Sequence, residues 1–193
     1  MTCIVGLVHN GVTYIGADSL GSDGHSKMVR KDRKVFKMRD TNRAVLGYTT
    51  SFRMGQLLMY ADGLLKTDTF TDINHRYLVT SFIPKVLDLF ESNNYGGDRN
   101  NGKYGGTFLL GYKDKLYKIY DDYQVAESVV QYDACGCGEE FALGSLYSTA
   151  NLQMSPQERV LQALRASSEF SVGVQAPYYI MNTSNDEVLV FDK

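Results

Sequence analysis

The sequence predicts an α+β domain, its strands and helices grouped along the chain and not alternated one by one. Three observations carry that expectation. The chain opens and closes on hairpin patterns, each made of two extended apolar runs around a turn. Two blocks of helical apolar spacing lie between them, separated by a second group of strands. The first two strands are apolar on both faces, which suits the middle of a layered structure. With 193 residues, 44% hydrophobic and 22% charged, the chain suits one domain over 1–193 that buries roughly 70% of its unfolded surface.

Thr2 to His9 is rich in β-branched residues, Asn10-Gly11 is a strong two-residue turn, and Val12 to Ser19 resumes the strand. Ile4 and Val8 share one face of the first strand, Val5 and Leu7 the other; Val12 and Tyr14 oppose Ile15 and Ala17 in the second. Gly21-Ser22-Asp23-Gly24 reads as a loop. Lys34 to Met38 and Ala44 to Thr49 are extended. Phe52 to Lys66 has helical spacing, strongest through Met54, Leu57, Leu58, Ala61 and Leu65. Thr71-Asp72 starts a second helix, whose apolar positions continue through Tyr77, Leu78, Phe82, Val86, Leu89 and Phe90. Pro84 lacks the N–H that a helix interior needs, so it kinks that helix or opens a new one. Asn93 to Gly106 reads as a surface loop.

The second strand group runs Thr107 to Tyr112, Lys115 to Tyr120 and Val129 to Cys135, with Lys113-Asp114 as a turn. Glu139 to Ala150 is helical. In the next helix Ser155 caps, Pro156 suits the first position and Glu158 completes a capping box. Tyr178 to Asn182 and Glu187 to Phe191 form the closing hairpin. The helices flanking Pro84 and the one from Ser155 hold more apolar residues than one small core needs, a surplus that marks subunit contacts.

Several function classes are excluded early. A formal net charge of -2 argues against a role dominated by nucleic acid or an anionic membrane, the basic run from Lys27 to Arg39 being the local exception. Three cysteines, an odd count, point to a reducing compartment and hence a cytoplasmic location. No apolar run reaches membrane-spanning length, and the first residues lack the basic region of a signal peptide. Cys135 and Cys137 do not have zinc spacing and His9, His25 and His75 are scattered, so neither a metal nor a cofactor is expected. Neither Gly105-Gly106 nor Gly136-x-Gly138 carries the lysine of a phosphate loop.

Three residues invite a chemical reading. Thr2 follows the initiator Met, and small residues there permit its removal. An N-terminal threonine holds its own machinery: the hydroxyl is the nucleophile and the α-amine, with a reference pKa of about 7.7–8.0, the base. It is equally a small residue tolerated at position 2. Lys34 shares a strand face with Phe36 and Met38, where burial and like-charged neighbours would lower its pKa. It also belongs to a basic run that would serve as a solvated edge or an anion site. Asp18 ends an otherwise apolar strand and, if buried, needs a partner such as a lysine; alternatively it caps a turn.

Together, Thr2, Asp18 and Lys34 have the spacing of the catalytic set of the proteasome β-subunit family, which includes the bacterial HslV peptidases, and the resemblance covers most of the chain. Thr2-Cys3-Ile4-Val5-Gly6 resembles that family's N-terminal strand, Tyr14-Ile15-Gly16-Ala17-Asp18-Ser19 its second strand and Arg33-Lys34-Val35-Phe36-Lys37 its lysine segment. Ala44-Val45-Leu46-Gly47-Tyr48 is similar to the strand whose glycine supplies the oxyanion N–H, and Ala134-Cys135-Gly136-Cys137-Gly138 to a small-residue loop.

The resemblance implies a four-layer αββα sandwich of the N-terminal-nucleophile hydrolase type, two stacked antiparallel sheets flanked by helix pairs. It implies a threonine-type endopeptidase in which Thr2 attacks, Lys34 lowers the proton affinity of the hydroxyl, Asp18 holds Lys34 and Gly47 stabilises the oxyanion. Val45 would floor an apolar pocket for the side chain before the cleaved bond, with Gly21 and Thr49 also binding substrate. A homo-oligomeric ring, unfolded polypeptide as substrate and an ATP-dependent unfoldase as partner follow from the same resemblance. There are departures. Cys137 stands where many members have a serine supporting the terminal amine, and Glu169-Phe170-Ser171-Val172-Gly173 where many have an Asp followed by Ser and Gly. They leave a catalytically inactive structural ring subunit as the alternative, with Cys137 and Glu169 as the supporting residues in question.

Overall fold

The computed structural model describes residues 2–66, 72–99 and 102–193. β1 (Cys3–His9) and β2 (Val12–Ala17) form the opening hairpin, with Asn10 (φ 48°) and Gly11 (φ 77°) both left-handed, as the tight turn requires. The stretch read as a loop contains a small hairpin, β3 (Leu20–Ser22) and β4 (Lys27–Val29), closed by the Asp23 carboxylate, which accepts the N–H groups of His25 and Ser26. β5 (Val35–Lys37) and β6 (Ala44–Tyr48) follow.

α1 (Phe52–Tyr60) is capped by the Ser51 hydroxyl and stops short of Lys66, because the chain turns at Gly63 (φ 85°) and Asp40 captures the N–H groups of Gly63 and Leu65. The next helix starts later than expected. Asn74 caps α2 (His75–Tyr77) by accepting the Tyr77 N–H; Thr71 lies outside the described residues. The helix continues through a π-type stretch, Leu78–Phe82, into α3 (Ile83–Ser92). The Ile83 N–H reaches back five residues to Leu78, and Pro84, as one of the two expected outcomes, stands in the first turn of α3, where its missing N–H costs least. The Asn93 to Gly106 stretch, read as a loop, holds the hairpin β7 (Gly97–Arg99) and β8 (Gly102–Tyr104); residues 100–101 lie outside the described part.

β9 (Phe108–Tyr112) and β10 (Lys115–Ile119) are where the pattern put them. The sequence reading missed β11 (Val125–Glu127) and began the next strand early: β12 is Tyr132–Gly136, and Val129, 97% exposed, sits in the preceding turn. α4 (Glu139–Ser148) and α5 (Pro156–Phe170) come next, α5 with the complete Ser155–Glu158 capping box, and β13 (Tyr178–Asn182) and β14 (Leu189–Phe191) close the chain.

The strands form two antiparallel five-stranded sheets, ordered β12-β1-β2-β13-β14 and β11-β10-β9-β6-β5. Ile4 and Ile15 of the first pack against Val35, Val45, Leu109 and Leu116 of the second. The first sheet's other face meets α4 and α5 through Val5, Leu7, Val160 and Leu164. The second sheet's other face carries Leu46, Tyr48 and Leu110 against Met54, Phe82, Val86 and Phe90. Apolar residues on both faces of β1 and β2 thus have a core on each side, every such side chain contributing about 1.5–3 kcal/mol. The apolar residues around Pro84 are largely buried in that core, Val79 being an exposed exception, and further exposed ones on α4, α5 and just beyond include Phe141, Tyr147, Phe170 and Val172.

The basic run is neutralised in part: Arg30 pairs with Asp32, Arg39 with Asp62 and Lys37 with Asp186. Among the described residues no helix is long and apolar enough to cross a membrane, and no cluster of three His, Cys, Asp or Glu is arranged to hold a metal.

Candidate active site

Four segments converge at one end of the sheets. Thr2 precedes β1, Asp18 follows β2, Lys34 precedes β5, and the stretch 48–52 joins β6 to α1. Lys34 is 1% exposed and Asp18 fully buried. The Lys34 ammonium spends its three N–H groups on Thr2 Oγ1 at 3.0 Å, Asp18 Oδ1 at 2.8 Å and the Leu20 carbonyl at 2.6 Å. Asp18 is equally saturated. Its Oδ1 also accepts the Cys3 N–H at 3.0 Å, and its Oδ2 accepts those of Leu20 at 2.9 Å and Gln175 at 3.3 Å. A buried ion pair is tolerable when every remaining lone pair and proton has a partner, and here each does. Desolvation lowers the Lys34 pKa from its ordinary value, while Asp18 pulls it back up. The lysine therefore aims a positive charge at the Thr2 hydroxyl oxygen.

A second contact holds the backbone of Thr2. Its N–H donates to Cys137 Sγ at 3.3 Å, and its carbonyl accepts the Gly138 N–H at 3.4 Å. Gly136, at φ 101°, lets the loop close this tightly; a Cβ there would overlap the Thr2 carbonyl oxygen. Ser171, which the sequence reading gave no role, donates to Cys137 Sγ at 3.3 Å. Glu169 does not join the site: it is exposed near the end of α5 and makes no hydrogen bond or ion pair to Thr2 or Cys137.

Gly47 does not join it either. In the middle of β6 it pairs with Leu109 of β9, and its missing side chain makes room for Ile4 and Ile15 of the other sheet. Tyr48 donates to Lys34 on the β5 side and Thr49 to Thr107 on the β9 side, so the alternation of the ladder aims the Gly47 N–H at β9, away from Thr2. Val45, two residues back on the same face, lies in the core between the sheets and floors no pocket. Thr49 lines the small cavity beside Thr2, with Ser22, Lys34 and the rest of the segment Tyr48 to Phe52. Gly21 sits one residue from Ser22, against Phe52 and the Arg30 stem.

Thr50 is the residue on this segment that sequence reasoning missed. It lines the cavity with Thr2, its N–H makes no hydrogen bond among the described residues, and its φ of 71° is a left-handed value unusual for a β-branched residue. Strain of that kind, about 1–3 kcal/mol, persists where surrounding structure enforces it. Here the Ser51 cap of α1 and the Thr107 N–H bond to Thr50 Oγ1 do so. The Ser51 cap was the available signal: it starts α1 at Phe52 and so confines the strand-to-helix turn to 49–51.

No protein-family model matches the sequence, and no curated protein does. Solved structures do match. The fold is that of the proteasome β-type, N-terminal-nucleophile hydrolases. Among them, BPH of Thiobacillus denitrificans, solved in complex with epoxomicin, superposes with a TM-score of 0.74 at 17% identity, covering 93% of this chain and 97% of its own. HslV from Trypanosoma brucei gives 0.65 at 12% identity over 93% and 98%. Anbu from Yersinia bercovieri gives 0.72 at 13% over 100% and 88%. At these identities the likeness establishes the fold.

Proposed function

We propose that the chain is a threonine-type endopeptidase subunit, a single four-layer αββα domain that works in a cytoplasmic ring assembly. The observation that carries the reading is the buried Lys34 ammonium bridging Thr2 Oγ1 and Asp18 Oδ1. Removal of Met1 exposes the Thr2 α-amine. That amine takes the proton of the hydroxyl as Oγ1 attacks a peptide carbonyl, and Lys34 stabilises the negative charge developing on Oγ1. The tetrahedral oxyanion is held by the Thr50 N–H, in place of Gly47, a contact worth roughly 3–4 kcal/mol. The intermediate collapses to an ester on Thr2 as the leaving amine takes the proton back from the α-ammonium. Water, deprotonated by the same amine, then attacks the ester, and Thr2 Oγ1 departs as it takes that proton back from the α-ammonium.

The exposed Phe141 and Phe170, their rings 5.6 Å apart, with Tyr147 and Val172, supply apolar surface for contacts between subunits. Unfolded polypeptide as substrate and an ATP-driven unfoldase as partner fit a ring that encloses its sites. The saturated Lys34–Asp18 pair favours the enzyme over an inactive structural subunit, which has no need to aim a buried ammonium at a hydroxyl.

The test uses fluorogenic peptides spanning small and large residues before the cleaved bond, with the intact mass read in parallel. The reading expects loss of Met1 and turnover that Thr2→Ala abolishes. Turnover unaffected by Thr2→Ala, or retention of Met1 with no turnover, overturns it.

A further inference from the structure

We infer that the site cleaves after small residues, of the glycine, alanine and serine class, and that Tyr48 imposes this limit. The inference rests on the peptidase reading above and deepens it. A peptide whose carbonyl carbon sits at Thr2 Oγ1 must place the preceding side chain one bond further on. The cavity that borders Thr2 there has a volume of about 70 Å³. That is under half of the roughly 150 Å³ of an apolar protein cavity that takes up benzene. It accommodates a methyl or hydroxymethyl group and not an isobutyl or benzyl group.

The cavity is small because aromatic rings already fill the space, and none can withdraw. Tyr48 points from β6 toward α1 and is 2% exposed. A Cβ at Gly55 would overlap its ring, so the ring lies directly on the backbone of α1 and has no room behind it. Phe36 and Phe52 flank it, with ring centroids at 6.4 and 6.1 Å. Phe52 is itself clamped. The Arg30 guanidinium lies 3.8 Å above its ring and is held by Asp32 through two hydrogen bonds, at 2.8 and 2.6 Å. A larger side chain would have to displace packed rings, which close-packed interiors resist. The other walls, apart from Thr2 and the Lys34 ammonium, are Ser22 and Thr49 to Ser51, polar and small, which suits a short side chain with or without a hydroxyl.

The experiment compares three fluorogenic peptide amides that differ only in Ala, Leu or Phe before the cleaved bond, with wild type, Tyr48→Ala, Tyr48→Phe and Thr2→Ala. The wild type is expected to favour Ala over Leu and Phe in kcat/KM by about tenfold or more, the discrimination a few methylenes allow. Tyr48→Ala should raise the Leu-to-Ala ratio at least about tenfold by opening the cavity, and Tyr48→Phe, which keeps the ring, should preserve the wild-type order. Equal or faster wild-type cleavage after Leu or Phe overturns the inference and leaves the peptidase reading standing. So does an unchanged ratio in Tyr48→Ala that retains a cooperative thermal transition. If Tyr48→Ala does not fold, the wild-type and Tyr48→Phe rankings decide. Cleavage that survives in Thr2→Ala, or no cleavage of any of the three peptides, removes both readings together.

Discussion

Replacing Asp18 by Asn tests whether the buried ion pair is built to support chemistry or only to fill space. The substitution keeps the shape and removes the charge. Lys34, 1% exposed, would be left an uncompensated ammonium. At Asp18 Oδ2 two N–H groups, from Leu20 and Gln175, would face either a second donor or, after a flip, force the mismatch onto Lys34 and Cys3 at Oδ1. Breaking one partner of such a pair costs about 3–5 kcal/mol. For a chain of this length each kcal/mol lowers Tm by roughly 2–4 °C, so a loss of about 6–20 °C is expected. The assay is thermal and urea unfolding at one fixed protein concentration, since the proposed subunit association would add its own stability. Asp18→Asn combined with Lys34→Met removes both charges and should recover much of the stability without restoring turnover. A cost below about 1 kcal/mol for Asp18→Asn, the range of an exposed pair, would refute the reasoning. So would a double variant whose cost is the sum of the single ones.

Other expectations follow from the same geometry. In the proposed mechanism turnover needs a neutral Thr2 amine and a charged Lys34. Its pH profile should rise near the amine's reference value of about 7.7–8.0 and fall at an alkaline limb below the ordinary lysine value, because burial lowers Lys34. For stability the sign is the reverse of a gained partner: with its folded pKa depressed, Lys34 disfavours folding below that pKa, and the penalty fades as pH rises toward 10.5. An alkaline limb at or above the free-lysine value would contradict the assignment. Iodoacetamide should label Cys137 alone in the native protein and stop turnover, since Cys3 is buried with its pKa pushed up to about 12 and burial also holds Cys135 well above the ordinary thiol value, whereas Cys137 is exposed beside the Thr2 nitrogen. Mass mapping that finds label on Cys3 or Cys135 first would count against this packing. Gly136→Ala should destabilise by about 1–3 kcal/mol from its φ of 101° alone, and more from overlap with the Thr2 carbonyl; a neutral effect in urea unfolding would mean the loop does not close as described.

The grouping of strands and helices was legible because long apolar patterns report burial directly. The Asn10-Gly11 turn and the Ser155 capping box are local chemistry, and both appear where the residues put them. The approach of Lys34 to Thr2 and Asp18 depends on four separate segments, so no single window of sequence contains it; only the joint spacing pointed there. Gly47 and Val45 show the limit. The role of Gly47 came from the resemblance alone, and which side of a strand its N–H faces is set by pairing with β9, a partner more than sixty residues away. The same alternation sends Val45 between the sheets and Tyr48 toward α1, reversing which residue meets the cavity. Pro84, read as kinking a helix or opening a new one, stands in the first turn of α3, but the π-type stretch before it has no sequence mark, and the hairpins around 20–29 and 97–104 are too short for periodicity to show.

The central claim, that Thr2 Oγ1 is the nucleophile, is tested most directly by trapping the acyl-enzyme. Processed protein is mixed with a slowly hydrolysed alanyl ester, quenched in acid within the first turnovers and mapped by mass. The account predicts the acyl group on the peptide that begins at Thr2, attached through oxygen and absent from Thr2→Ala. Acylation of Cys137 instead, or steady turnover with no acyl group on the N-terminal peptide, would contradict it.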